Sequence, residues 1–460
     1  MKLFDTIAAV STPRGKGGVA VIRISGENAI AVGEAVFSRK LSEIEPNRAV
    51  YGKIYLPEPS GERRQIDDGI VTVFRAPASF TGEDTVELCC HGGALVTSVV
   101  LSAVLASGAR QAEAGEFTRR AYINGRATLD TAESLSALLE ATTLDQLYLA
   151  RSGMNGKLSR ETDALYDELL TVTAELRADI DFPDEDVSEM TDAELRERLE
   201  SVADGVARLA RTYTTGRAIA EGVETVICGR TNSGKSSLYN RILGQERAIV
   251  TDIEGTTRDI LTDTASFGGV TLHISDTAGL RDSDDPVESI GIRRALDALT
   301  AAGLVLVVID GSREICEDDR AYLERIRSAA AFSIAVLNKC DLGVCESAES
   351  FAKSFDRYVS LSAKTGENIN ELERTIAEAF VDDSIDLMRD GVVSTERQYG
   401  ALIGAGDCLR AALNALDAGL PTDLVCSELE CGLSKLAELG GREASEDIVS
   451  GIFSKFCVGK

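Results

Sequence analysis

The chain has 460 residues, too many for one hydrophobic core, so its length predicts two to four domains. Hydrophobic residues make up 44% and charged residues 27%, the balance of a globular chain. Lys and Arg number 48 against 75 Asp and Glu, a net charge of −27. That charge argues against an RNA-coating protein, because any RNA contact then needs a local basic patch or a basic partner.

The opening Met1-Lys-Leu-Phe-Asp5 has no apolar run of signal length, and the most apolar stretch, Leu304 to Ile309, suits a buried strand. A cytoplasmic protein with no membrane association is expected. Ten cysteines sit at irregular spacing, and the C-x4-C pairs Cys340/Cys345 and Cys426/Cys431 are not zinc spacings. With only His91 and His273 to help them, reduced thiols are the expectation.

Residues 1–118 read as an α+β domain. Short β-rich runs (Val19–Ile24, Tyr51–Tyr55, Ile70–Phe74, Thr85–Leu88) alternate with Gly and Pro clusters, and Ala94–Ala106 reads as a helix. Residues 119–218 read as long helices, with Leu135, Leu138 and Leu139, then Leu165, Leu169, Val172 and Leu176, at helical spacing. Residues 219–381 alternate strand, loop and helix, the pattern of a doubly wound, mainly parallel sheet. Helical texture returns over 382–460, where Leu402, Ala405, Leu409, Leu413 and Leu416 share a face. The flanking helical blocks point to an α/β domain inserted into a helical one; two unrelated helical domains are the alternative.

The α/β segment carries the chemistry. Gly229-Arg-Thr-Asn-Ser-Gly-Lys-Ser236 follows the apolar run Val223–Cys228 and opens a helix, the context in which backbone N–H groups close around phosphates. Asn232, Ser233, Gly234, Lys235, Ser236 and Ser237 form this loop; Lys235 is placed to neutralise β/γ oxygens and Ser236 to ligate Mg²⁺. Thr251, Asp252, Ile253, Glu254, Gly255, Thr256 and Thr257 are candidate nucleotide contacts, and Thr256 and Thr257 sit where a mobile segment would bring a threonine to Mg²⁺. Asp276, Thr277, Ala278 and Gly279 would face Mg²⁺ and the γ-phosphate. Asn338, Lys339 and Asp341 follow another strand; the Asp341 carboxylate can accept two hydrogen bonds from guanine, a donor pair that adenine lacks. Ser362, Ala363 and Lys364 would back the guanine carbonyl. Five motifs in this order predict a GTP-hydrolysing switch.

Leu280 stands where many such enzymes carry a water-aligning Gln, and an aliphatic chain cannot align water. Glu288 is the candidate replacement, its plain alternative being an exposed carboxylate at a helix start. Asn232, with carbonyls from Thr251 to Thr256, can help a monovalent cation neutralise transition-state charge.

Nearly the whole chain resembles the MnmE (TrmE) family of tRNA wobble-uridine modification GTPases. The likeness rests on Pro13-Arg-Gly-Lys-Gly-Gly-Val-Ala-Val-Ile-Arg-Ile-Ser-Gly26, Ser79-Phe-Thr-Gly-Glu-Asp84, His91-Gly-Gly93, Ala114 to Gly125, Asp181-Phe-Pro-Asp-Glu185, the nucleotide motifs and Ile452-Phe-Ser-Lys-Phe-Cys-Val-Gly-Lys460. The resemblance implies an N-terminal domain that dimerises and binds a tetrahydrofolate one-carbon donor (5,10-methylene- or 5-formyl-), and a helical domain with a Ras-like GTPase inserted. It implies a homodimer that joins a MnmG-like FAD protein in a heterotetramer or larger complex. That complex would install an aminomethyl or carboxymethylaminomethyl group at C5 of uridine 34 in tRNA. By the same resemblance Asn232, Thr251, Ile253 and Thr256 are K⁺ ligands, Ser236 and Thr257 are Mg²⁺ ligands, and Glu288 positions water. Folate contacts carry over to Arg23, Glu87, Arg126 and Lys460, and Cys457 is a candidate nucleophile in the uridine chemistry. The family's usual Asn-Gly-Lys-Leu-Asp-Leu reads Asn124-Gly-Arg-Ala-Thr-Leu129 here, so a planar fork replaces an ammonium at Arg126.

Residues alone leave other readings open. Cys457 can be a buried thiol on the last helix, Arg23 a structural salt bridge, and Arg119, Arg120 and Arg126 a solvated helix start. His91 and His273 read as structural. An RNA-assembly switch without modification chemistry is the rival function, and a folate-dependent transferase regulated by GTP a third.

Overall fold

The computed structural model describes residues 5–13, 15–57, 63–181, 190–245, 262–275, 299–441, 446–454 and 456–459. The chain forms two compact units, Met1–Ser136 with Ala437–Lys460, and Ala137–Leu436.

The first unit is built on a six-stranded sheet. Its strands are β1 (Ile7–Val10), β2 (Val19–Ser25), β3 (Ala49–Pro57), β4 (Arg63–Phe74), β5 (Thr85–His91) and β6 (Arg110–Gln111), in the order β3-β4-β5-β2-β1-β6. All neighbours are antiparallel except β1 and β6. Alternation along β2 buries Ala20, Ile22 and Ile24 against helices Ala29–Val36 and Ala94–Ala106 and turns Arg23 to the other face. There Ile7, Ala9, Ala112 and Phe117 form a smaller core under helix Glu116–Ile123. The C-terminal helix Glu446–Ser454 packs Val449 and Phe453 against Leu129 and Ala132, and Phe456 joins them. The tail then bridges Val458 to Ala114, and Ser11 Oγ donates to the Gly459 carbonyl at 3.0 Å. Gly459 has φ +103, and a Cβ there would meet the Val10 carbonyl at 2.2 Å, so this seat requires glycine.

The second unit holds the doubly wound sheet expected from the sequence. It comprises β7 (Val223–Cys228), β8 (Thr262–Phe267), β9 (Val270–Ser275), β10 (Leu304–Asp310), β11 (Ser333–Asn338) and β12 (Arg357–Ser360). The order is β12-β11-β10-β7-β9-β8, parallel except for β8 against β9. Strands buried on both faces read as continuous apolar runs, and β10, Leu-Val-Leu-Val-Val-Ile-Asp, is the plainest. Helices Lys235–Gln245 and Ile369–Phe380 cover one face, and Glu317–Ala329 and Glu346–Ala352 the other.

The helical residues on either side of this sheet belong together. Helix Asp192–Arg211 packs along helix Glu396–Asp417, and each starts with a Thr capping box (Thr191/Glu194, Thr395/Gln398). Where the chain leaves for the sheet, Thr212 and Thr215 accept backbone N–H bonds from the returning Val393 and Asp382, at 3.0 and 2.9 Å. The α/β domain is therefore an insertion, its entry and exit held side by side.

Candidate nucleotide site and N-terminal polar site

The described nucleotide motifs collect at the carboxyl ends of β7, β11 and β12, where parallel sheets bind ligands. The phosphate loop leaves β7 and enters helix Lys235–Gln245 through backbone that few residues tolerate. Gly229 and Gly234 have φ +143 and +101, and Asn232 has φ +62. A Cβ on Gly234 would lie 2.0 Å from Asn338 Nδ2, so this glycine lets two motifs touch. Asn338, 3% exposed, donates Nδ2 to the Ser233 carbonyl at 2.8 Å and accepts from the Ala363 N–H at 2.9 Å. One amide thus ties the phosphate loop, the guanine motif and the Ser362–Lys364 loop together. Arg241 adds a second tie, donating to the carbonyls of Ala363 and Lys364 at 3.3 and 3.0 Å.

Lys235 Nζ donates to the Gly229 and Arg230 carbonyls at 2.7 and 2.8 Å, which holds its charge inside the loop. Ser236 and Ser237 lie exposed in the first helical turn, with the partial positive charge of the helix start beside them. Asp341 is exposed in the short turn Cys340–Leu342, and Lys339 before it has φ +68. The exposed hydroxyl of Ser236 and the amide of Asn232 offer the hard oxygen donors that Mg²⁺ and K⁺ take. Thr251–Thr257, Asp276–Gly279, Glu288 and Lys460 lie outside the described residues.

In the first unit Arg23 and Glu87 are direct cross-strand partners. Arg23 donates Nε and Nη2 to Glu87 Oε1 at 2.9 and 2.8 Å. Its guanidinium lies 5.3 Å from the Phe80 ring centre and 5.7 Å from that of Phe117. The Ser79–Asp84 loop that carries Phe80 is held by Asn124 Nδ2, which donates to the Thr81 carbonyl at 2.7 Å. Arg126 is exposed, and its Cγ lies 3.1 Å from where a Cβ on Gly82 would stand.

Two plain readings of the sequence are corrected. Arg120 is 2% exposed, not solvated: its Nη2 pairs with Asp5 and Glu116 at 2.8 and 3.0 Å, and its Nη1 with Glu83 at 3.2 Å. Cys457 is exposed and lies beyond the last helix, so it is not a buried helical thiol. His91 ends β5 with Nδ1 2.7 Å from Asp67 Oδ1, and His273 sits on β9 with Nε2 2.8 Å from the Glu221 carbonyl. Sequence reasoning passed over Phe80, Phe117, Arg230, Asp310 and Asp319. Asp310 left one signal, as the only carboxylate in an otherwise apolar strand.

A phosphate loop, an Asn-Lys-x-Asp motif and a Ser-Ala-Lys loop on this sheet define a guanine-nucleotide-binding protein of the Ras-like class. The chain matches the family described as "MnmE helical domain" over residues 129–457 and that described as "GTP-binding protein TrmE N-terminus" over residues 6–126. It belongs to the MnmE (TrmE) family. It is 41% identical to a "tRNA modification GTPase MnmE" of Lactobacillus delbrueckii over 99% of this chain and 98% of that one. A protein of the same description from Moorella thermoacetica is 42% identical over the full length of both. Among solved structures, a GTP-binding protein of Sulfolobus solfataricus bound to GDP is similar at 16% identity. That match covers 46% of this chain and 66% of the other with a TM-score of 0.27, too remote to carry an argument. Among the described residues, no helix is long and apolar enough to cross a membrane.

Proposed function

We propose that this chain hydrolyses GTP to drive modification of the wobble uridine of tRNA. In this reading it works in the cytoplasm as a homodimer, with a MnmG-like FAD protein and a tetrahydrofolate one-carbon donor. Full-length likeness to proteins described as tRNA modification GTPases carries the reading, and the geometry of both units supports it. In the nucleotide site, Asp341 reads the guanine edge and Asn338 fixes the loops around it. Lys235, held by two loop carbonyls, presents its charge to the β/γ oxygens. Mg²⁺ on Ser236 and Thr257, and K⁺ on Asn232, Thr251, Ile253 and Thr256, would supply the remaining positive charge around the phosphates. Glu288 takes the water-aligning task that Leu280 cannot perform.

In the N-terminal unit, both Arg23 bonds go to Glu87 Oε1, which leaves Oε2 to accept from a pterin N–H edge. The exposed Phe80 ring, beside the Arg23 guanidinium, supplies an apolar wall. Arg126 and Lys460 then meet the ligand's anionic end, and Cys457, on an exposed tail anchored beside β1, can reach a uridine. The chain's acidity is uneven: residues 1–136 are nearly balanced in charge, so tRNA approaching this unit meets far less repulsion than the net charge implies.

Mass spectrometry of tRNA nucleosides from a deletion strain tests the whole reading. Loss of the aminomethyl-type uridines is expected; unchanged wobble uridines, with no redundant enzyme present, would reject it. Hydrolysis measured in K⁺ and in Na⁺ tests the cation, equal rates being the result that removes it. Glu288→Ala should slow turnover while GTP affinity holds.

A further inference from the structure

Asn338 is not the sole link between the phosphate loop and the guanine motif. Two carboxylates lie between these segments, Asp310 at the end of β10 and Asp319 in the first turn of helix Glu317–Ala329, each with a side chain only 12% exposed. Arg230, inside the phosphate loop, donates Nε to Asp319 Oδ1 at 2.6 Å and lies over the Tyr322 ring. Lys339, inside the guanine motif, donates Nζ to Asp310 Oδ2 at 2.7 Å. Arg313 bridges the pairs, with Nη2 3.6 Å from Asp319 Oδ2 and Nε 3.9 Å from Asp310 Oδ2. Five alternating charges therefore run Arg230, Asp319, Arg313, Asp310, Lys339.

Both ends of this run are fixed in the backbone. The Arg230 carbonyl accepts from Lys235 Nζ at 2.8 Å, and Lys339 is locked at φ +68. Asp310 is held further by the Ser312 N–H and hydroxyl at 3.1 and 2.6 Å. Exposed ion pairs contribute little, but these carboxylates are nearly buried, so removing a partner strands a charge in a poorly solvated place.

We propose that Asp319 and Arg313 are positioning residues for nucleotide retention. They hold the phosphate loop and the guanine motif at one spacing through charge, in parallel with the Asn338 amide, so the rate of nucleotide loss depends on ionic strength. Neither residue touches the nucleotide; each acts through Arg230 and Lys339.

Release of a fluorescent GDP analogue from the full-length protein, with K⁺ fixed and choline chloride varied, tests this. At low ionic strength D319N should release the analogue about fivefold faster than the parent and R313A, which loses only the longer contacts of a half-exposed side chain, about twofold faster, and D319E should return to within about twofold. High choline chloride should bring the parent and R313A together, because exposed Arg313 is readily screened. The double variant R230Q/D319N should release no faster than the faster single variant. Release at the parent rate in D319N and R313A would overturn the proposal. So would effects of R230Q and D319N that simply multiply, or a lowered melting temperature in D319N that D319E fails to correct.

Discussion

Arg23 and Glu87 stand directly opposite each other on two antiparallel strands, and both guanidinium bonds fall on the same carboxylate oxygen. Arg–carboxylate pairs frequently take the bidentate fork, one N–H to each oxygen. Here the second oxygen carries no bond among the described residues, and the exposed Phe80 ring lies beside the guanidinium. Glu87→Gln keeps shape and removes charge, so it should weaken 5-formyl-tetrahydrofolate binding by about tenfold, the worth of one charge-assisted bond. Titration calorimetry on the intact chain checks this. Unaltered affinity would place the folate elsewhere and return the pair to a structural role.

Asp341 offers a sharper exchange. Its carboxylate suits a base with two adjacent N–H donors, and xanthine replaces the amino donor with a carbonyl. Asp341→Asn should therefore lose GTP by at least about a hundredfold and gain xanthosine triphosphate, since an amide supplies the donor that carbonyl needs. Competition between the two triphosphates measures it. Equal loss of both nucleotides would mean that Asp341 supports the loop without reading the base.

Much of this was legible in the sequence, for identifiable reasons. Ala94–Ala106 and Val223–Cys228 have the predicted bounds because a dense apolar run ends at a turn signal on each side. Helix Ala29–Val36 was not read, since its eight residues are too few for a clear helical period. The nucleotide motifs were legible because one loop must meet several chemical demands within a few residues. Arg120 was misread because its partners Asp5 and Glu83 are remote in sequence, and only the folded sheet brings three carboxylates around it. The run from Arg230 to Lys339 was invisible for the same reason, as no local pattern marks a pair 89 residues apart.

The Asp67–His91 pair carries a pH dependence with a definite sign. The hydrogen bond and charge of Asp67 raise the His91 imidazole above its usual value. Burial pushes the Asp67 carboxyl up, but bonds from His91 outweigh it and leave the group lowered. A raised histidine stabilises the fold fully below its unfolded value near 6.5, and that contribution is lost as pH rises through the folded value. A lowered carboxyl contributes above its unfolded value near 3.8 and loses that contribution as pH falls through the folded one. The pair therefore contributes most in weakly acidic solution. An NMR titration should give His91 a value above that of a free imidazole, and Asp67→Asn should bring it back. An unshifted His91 in the parent protein would exclude the pairing in solution.

Arg120 provides the test of the buried charge cluster. It and Arg110 face Asp5, Glu83 and Glu116, and the Glu116 side chain is fully buried. Bonds from Arg110, with those from Arg120, hold the Asp5 carboxyl down to about 2 despite partial burial. The stabilisation from Asp5 is therefore present above its unfolded value of 3.8 and drains away as pH falls toward 2. Arg120→Met fills the space but leaves Asp5 and Glu116 to Arg110 alone and Glu83 without its arginine, at a cost of about 3–5 kcal/mol. Adding Glu116→Gln removes the most deeply buried of those charges and should recover part of the loss. Hydrogen exchange over residues 5–13 and 116–123 of the intact chain reads this locally. Faster exchange is expected in Arg120→Met and partial recovery in the double variant. Parent-like exchange in the single variant would show that the cluster is too hydrated to hold β1 against the helix beneath it.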